Sequence, residues 1–149
     1  MAHTSALTID WGDTDAGGLI YFPRFFHFAV VGLNDYFAPA MDGHLMESLR
    51  RDGHVLPAVD ASGSFESPLR AGDRVEVETT VTRLGEASLT TAFDVRRAET
   101  AERAADLTVT FVLVDEGFEA TPLPAAMRAC VAERGDRDDP DDSTAAEGS

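Results

Sequence analysis

Residues 22–37 read Phe22-Pro-Arg-Phe-Phe-His-Phe-Ala-Val-Val-Gly-Leu-Asn-Asp-Tyr-Phe37, and this stretch decides the architecture. Proline is favoured at the first helical position, so Pro23 marks where a helix begins. Phe22, Phe25, Phe26, Ala29, Val30, Leu33, Tyr36 and Phe37 then recur at i, i+3 and i+4 spacing, while Phe28 and Val31 lie off that stripe. A helix apolar over most of its circumference is covered by protein on most sides. Gly32 within it costs about 1 kcal/mol relative to alanine, which a close backbone contact would explain. Pro39 helps end the helix.

Working outward, Leu7, Ile9 and Trp11 alternate with Thr8 and Asp10 ahead of the helix, the pattern of a strand. Behind it, residues 42–52 form a shorter amphipathic helix. Four further strands follow. Val59, Ala61 and Phe65 alternate with Asp60, Ser62 and Ser64, and Val75, Val77 and Val81 with polar neighbours. Leu89, Phe93 and Val95 repeat the pattern, as do Leu107, Val109, Phe111 and Leu113. The turns between them are short, which means antiparallel pairing. A last short helix is expected from Pro124 to Ala132. About five antiparallel strands offer one apolar face, and one long apolar helix needs cover. A twisted sheet wrapped around that helix satisfies both, giving an α+β fold. The opposite sheet face is polar in most strands but not all, which points to an oligomer contact.

Charge sets the class of partner. The 149 residues carry 27 acids against 12 basic residues, for a net −15, and every basic residue is arginine. Such a surface repels nucleic-acid phosphates and anionic lipid, so neither is an expected partner. Periodic apolar patterning and 44% hydrophobic residues exclude a wholly disordered acidic chain. The acidity reads as a solubility adaptation of the kind found in a salt-rich cytoplasm. The first residues lack the basic start and apolar run of a signal peptide, and no stretch approaches the roughly 20 apolar residues that span a bilayer. A cytoplasmic protein is expected. Residues 133–149 hold seven acids and two arginines with no large apolar side chain. That composition cannot offset its ordering entropy, so one folded domain is expected over 1–132, followed by an acidic disordered tail.

Several chemistries drop out. Without lysine there is no Gly-Lys-Ser/Thr phosphate loop and no Schiff base, and no Gly-x-Ser-x-Gly elbow is present. His3, His27, His44 and His54 show no metal spacing, and the single Cys130 reads as a packed, unreactive thiol. Asp13-Thr-Asp-Ala-Gly-Gly18 opens like a calcium loop, but Gly17 stands at its fifth position and Arg24 at its twelfth, where a bidentate Glu is required. What remains is a carboxylate-bearing turn running straight into the start of an apolar helix. Gly17 and Gly18 allow tight or left-handed backbone. The helix start offers free N–H groups and partial positive charge to an oxygen that becomes anionic. A carboxylate opposite such an oxyanion site suits acyl transfer, although Asp and Gly are also ordinary turn residues.

The string Ile9-Asp-Trp-Gly-Asp-Thr-Asp-Ala-Gly-Gly-Leu-Ile-Tyr-Phe-Pro-Arg-Phe26 resembles the signature of the 4-hydroxybenzoyl-CoA thioesterase branch of hot-dog-fold proteins, in which Asp-x-Asp-x-x-Gly precedes the long central helix. The resemblance covers the order of elements over about residues 5–115. It implies a hot-dog fold and hydrolysis of an acyl-CoA thioester, with Asp15 as general base or nucleophile and the Phe22 N–H polarising the thioester carbonyl. Asp13, Gly17 and Gly18 would shape the turn, and Tyr21 and Phe22 would line the acyl pocket or simply serve as core aromatics. It further implies a homodimer or homotetramer with sites between subunits, no metal, and no cofactor beyond the coenzyme A of the substrate. The acyl group is left open between an aromatic one, such as 4-hydroxybenzoyl or dihydroxynaphthoyl, and a short-chain one. The family's basic pair near the turn before the fourth strand is replaced here by Gly85-Glu86-Ala87. Arg70, Arg83, Arg96 and Arg97 are therefore the candidates for the CoA phosphates. Two rivals stand beside this reading: a hot-dog dehydratase or hydratase using His27, and a CoA-ester-binding module without turnover.

Overall fold

A computed structural model describes residues 2–136 of the chain. Its elements run β1 (His3–Thr8), α1 (Arg24–Phe37), α2 (Leu45–Arg51), β2 (Ala58–Phe65), β3 (Arg74–Leu84), β4 (Ser88–Arg97), β5 (Arg103–Val112) and α3 (Ala125–Arg134). The strands form one antiparallel sheet in the order β1-β3-β4-β5-β2. α1 lies across its apolar face, where Phe25, Phe28, Ala29, Leu33, Tyr36 and Phe37 join Val77, Phe93, Val95 and Leu107 in a single core. This is the sheet around one long helix that the alternating strands and the apolar helix predict, and the hot-dog arrangement that the resemblance implies. No helix among the described residues is long and apolar enough to cross a membrane.

Gly32 has the anticipated reason. A methyl group there would run into Thr79 Oγ1 and the Val77 side chain of β3, so glycine lets the helix backbone sit directly on the sheet. Both neighbours are fully buried, and β-branched side chains have little rotamer freedom with which to yield.

Four expectations need correction. The buried stripe of α1 is Phe25, Phe28, Ala29, Gly32, Leu33, Tyr36 and Phe37, so Phe28 is inside while Val30 is partly exposed. The stripe's Phe25, Ala29, Leu33, Tyr36 and Phe37 are buried as expected, opposite Arg24, His27, Asn34 and Asp35, so the correction concerns the edge of the buried face. Trp11 does not continue β1; it sits in a turn of 3-10 helix over Trp11–Asp13 and is 79% exposed. β2 does not bury alternate residues. It is an edge strand bonded only to β5 and exposed along its whole length. Finally, α3 continues to Arg134, and ordered structure reaches Asp136, whose Oδ2 accepts from Tyr36 Oη at 2.7 Å and from the Val81 N–H at 3.1 Å. The folded unit therefore extends past residue 132. Residues 137–149 of the acidic segment lie outside the described residues.

Candidate active site

β1 ends because Asp13 folds the chain back. Its own N–H donates to Asp10 O at 2.9 Å, and its Oδ2 accepts from the Asp10 N–H at 2.9 Å. The chain then makes a tight loop: Asp15 N–H donates to Leu19 O at 2.9 Å and Gly18 N–H to Asp15 O at 3.0 Å. Gly18 has φ +82°, a left-handed conformation that favours glycine. Returning, Tyr21 N–H donates to Asp13 O at 2.9 Å and Ile20 N–H to Leu69 O at 2.8 Å, which fixes the loop to the segment after β2. The sequence Tyr21-Phe22-Pro23 then enters α1, with Arg24 N–H donating to Tyr21 O at 2.8 Å.

This arrangement separates the two acids of the turn. Asp13 is 6% exposed and locked, its Oδ1 accepting from Arg24 Nε at 2.9 Å with a terminal guanidinium nitrogen at 2.7 Å. Burial would raise its pKa, but the Asp10 N–H and the Arg24 guanidinium outweigh that and hold it below the ordinary value. Both carboxylate oxygens of Asp13 are engaged within the turn and with Arg24. Asp15 is exposed. Its Oδ1 accepts from the Gly17 N–H at 2.9 Å, and its Oδ2 has no partner among the described residues. Phe22 N–H likewise finds no acceptor among the described residues, and it lies at the positive end of the fourteen-residue α1. The turn therefore carries one free carboxylate oxygen and the helix start one free donor.

An apolar cleft of about 250 Å3 adjoins this loop, lined by Leu19, Ile20, Phe22, Phe25, Phe65 and Pro68 among others. Phe65 is its organising ring, 5.2 Å from Phe25 and 5.8 Å from Phe22 between centroids. Phe22 is 59% and Phe65 45% exposed, a large aromatic area for a lone chain to leave uncovered. Two hollows of similar size, about 300 Å3 along β1 and β3 and about 330 Å3 between His54, Val55 and Phe118, are lined by no residue of the turn. Chemistry rather than volume singles out the cleft that Leu19, Ile20 and Phe22 of the loop line.

Tyr21 is exposed beside Phe22, with centroids 6.2 Å apart. The arginine candidates divide. Arg96 is engaged by Asp94 at 2.8 Å and Ala101 O at 2.9 Å, and Arg97 by Asp73 at 2.9 Å, Glu102 at 3.3 Å and Pro68 O. Arg83 approaches Thr90 Oγ1 at 3.4 Å. Arg70 is the one described arginine whose guanidinium makes no hydrogen bond or ion pair among the described residues, and it follows Pro68 of the cleft by two positions. His27 is exposed on α1, and Cys130 is buried with Sγ donating to Tyr36 O at 3.4 Å. The described residues contain no cluster of three His, Cys, Asp or Glu able to hold a metal. Sequence reasoning missed Phe65 and Arg24. Nothing local marks a phenylalanine ending an edge strand as a site residue, whereas an arginine opening a helix behind an Asp-rich turn was a readable signal.

The chain matches the Thioesterase-like superfamily over residues 9–131, most of its length, and belongs to that family. It is 26% identical over 124 residues to the 1,4-dihydroxy-2-naphthoyl-CoA hydrolase of Thermosynechococcus vestitus, covering 83% of this chain and 72% of that protein. A second 1,4-dihydroxy-2-naphthoyl-CoA hydrolase, from Picosynechococcus, is 32% identical over 81 residues, which is 52% of this chain and 53% of that one. Among solved structures, a 1,4-dihydroxy-2-naphthoyl-CoA thioesterase from Synechocystis superposes with a TM-score of 0.82 at 22% identity, covering 92% of this chain and all of the other. A thioesterase from Staphylococcus aureus gives a TM-score of 0.81 at 16% identity, covering 90% and 91%. At these identities the structural likeness establishes the fold.

Proposed function

We propose that the chain is an acyl-CoA thioesterase with Asp15 as its catalytic carboxylate, acting on an aromatic acyl group of dihydroxynaphthoyl or hydroxybenzoyl type. One observation carries the reading: the free Asp15 oxygen and the unclaimed Phe22 N–H belong to one loop beside an aromatic-lined cleft. The thioester oxygen accepts from the Phe22 N–H, where charge developing on it meets the helix terminus. Asp15 then takes a proton from water as that water attacks the carbonyl carbon, or attacks the carbon itself to give a mixed anhydride that water opens. By either route the C–S bond breaks, the acyl group leaves as a carboxylic acid, and coenzyme A leaves as the thiol. The named activities of the two hydrolase relatives support an aromatic substrate, as do the rings of Phe22 and Phe65. Arg70 is the proposed partner for a CoA phosphate.

The working unit proposed is a homodimer, alone or paired into a tetramer, in the cytoplasm. β2 offers a free edge and two exposed faces, and a second copy placed there would cover Phe65 and close the cleft against water. Release of free thiol from a panel of acyl-CoAs tests the activity. Turnover of the aromatic members with loss of turnover in Asp15→Ala supports the reading. Binding without thiol release would favour a CoA-ester-binding module instead. Loss of enoyl-CoA hydration in His27→Ala but not in Asp15→Ala would favour a hydratase.

A further inference from the structure

The Asp13–Arg24 pair joins the two halves of the proposed site. Asp13 stands two residues before Asp15, and Arg24 two residues after Phe22. Both guanidinium contacts fall on Asp13 Oδ1, at 2.9 Å from Nε and 2.7 Å from a terminal nitrogen, while Oδ2 takes the Asp10 N–H at 2.9 Å. The Asp13 carbonyl also takes the Tyr21 N–H at 2.9 Å, so the incoming and outgoing arms of the loop are tied through both backbone and side chain. Each oxygen of Asp13 is thus engaged in holding the loop, and the residue is buried.

Stability alone is a weak reason for this pair. The Arg24 side chain is 38% exposed, and ion pairs of that kind contribute about 0–1 kcal/mol. Geometry is the stronger reason. A carboxylate and an oxyanion donor must face one carbonyl from opposite sides, and a misplacement of about 1 Å costs on the order of a hundredfold in rate. Backbone bonds from Asp15 N–H to Leu19 O, Gly18 N–H to Asp15 O and Ile20 N–H to Leu69 O close the loop on itself and on the segment after β2, whereas the Asp15 side chain is held only by the Gly17 N–H beside a Gly-Gly step. We infer that Arg24 and Asp13 are positioning residues whose ion pair sets the separation between the Asp15 carboxylate and the Phe22 N–H. This inference rests on the thioesterase reading given above and deepens it.

The test is steady-state thiol release by the full chain carrying Arg24→Met, Arg24→Lys, Asp13→Asn and the double change Asp13→Asn with Arg24→Met. Asp15→Ala is the control, and circular dichroism follows the fold. Arg24→Met is expected to lower kcat by about 10–100-fold while KM changes less than about threefold, the split that marks lost transition-state alignment rather than lost binding. Arg24→Lys, which keeps a donor for Oδ1, should regain most of that loss. The double variant should be no slower than the worse single one, since the two side chains act as a unit. A slow Asp15→Ala beside an Arg24→Met that keeps kcat within about twofold of the parent overturns the positioning role alone. The same follows if KM rises with kcat unchanged, or if Arg24→Lys restores the fold without restoring kcat. An inactive parent, or an Asp15→Ala as fast as the parent, overturns the thioesterase reading and this inference with it.

Discussion

Replacing Asp15 by asparagine separates catalysis from folding more cleanly than any other change in this chain. The side chain is exposed, and its one hydrogen bond is accepted by Oδ1 from the Gly17 N–H at 2.9 Å. An asparagine carbonyl accepts the same bond, so the loop keeps its conformation and stability should change by about 0.5 kcal/mol or less, the usual range for a surface position. What disappears is the negative charge and with it the proposed base or nucleophile. A positioned general base contributes about 100- to 10,000-fold, equivalent to about 2.7–5.4 kcal/mol of barrier. The rate effect therefore exceeds the stability effect at least fivefold in free energy. The assay is kcat from thiol release at saturating aromatic acyl-CoA, with urea unfolding of the same preparation. A folded Asp15→Asn protein retaining kcat within about threefold of the parent would refute the assignment. So would an unfolding midpoint far below the parent's, because Asp15 would then be structural.

Three further outcomes follow from the geometry. Gly32→Ala places a methyl against Thr79 Oγ1 and Val77, and overpacking of about 2–3 kcal/mol, less about 1 kcal/mol of improved helix propensity, should leave a net loss of about 1–2 kcal/mol in urea unfolding. Asp13 has a folded-state pKa below its unfolded one, so its contribution to stability is complete above about pH 4 and fades as pH falls through the lower folded value. Asp13→Asn should remove that component from the acid limb of the stability profile, and an unchanged limb would contradict the ion pair. Phe65→Ala removes the ring that meets Phe22 and Phe25, so KM for an aromatic acyl-CoA should rise about tenfold while acetyl-CoA is little affected.

The cleft and the turn differ in how much of each could be read before folding. Asp15, Gly17, Gly18 and Phe22 are neighbours in sequence, and a loop of ten residues has few ways to close when it opens on a capped 3-10 turn and ends on a helix. The left-handed Gly18 and the free Phe22 N–H are consequences of that short span. Phe65 was a different case. It reaches Phe22 only because β2 pairs at the far edge of the sheet, beside β5 rather than beside β1 or β3. Its alternation with Ser62 and Ser64 resembles that of a half-buried strand, whereas both faces are open in the single chain. The arginines make the same point through charge. Arg97 could be told from Arg70 as a candidate only where the end of β4 met Asp73, twenty-four residues away, whereas Arg96 pairs with Asp94 two positions earlier on the same face of β4.

Local periodicity by itself determined that this chain would form one long apolar helix and a set of antiparallel strands, because a repeat of 3.6 or of 2 residues fixes which side chains share a face. The order of Asp, Gly and proline likewise determined a carboxylate turn at a helix mouth. Tertiary structure alone decided where the buried face of that helix ended, since Phe25, Ala29, Leu33, Tyr36 and Phe37 of the apolar stripe are buried as patterned, whereas Phe28 is buried off the stripe and Val30 on it is exposed. It also decided which strand was left at the edge and which arginine was left without a partner among the described residues. Those outcomes depend on contacts between residues far apart in the chain, and no local pattern encodes them.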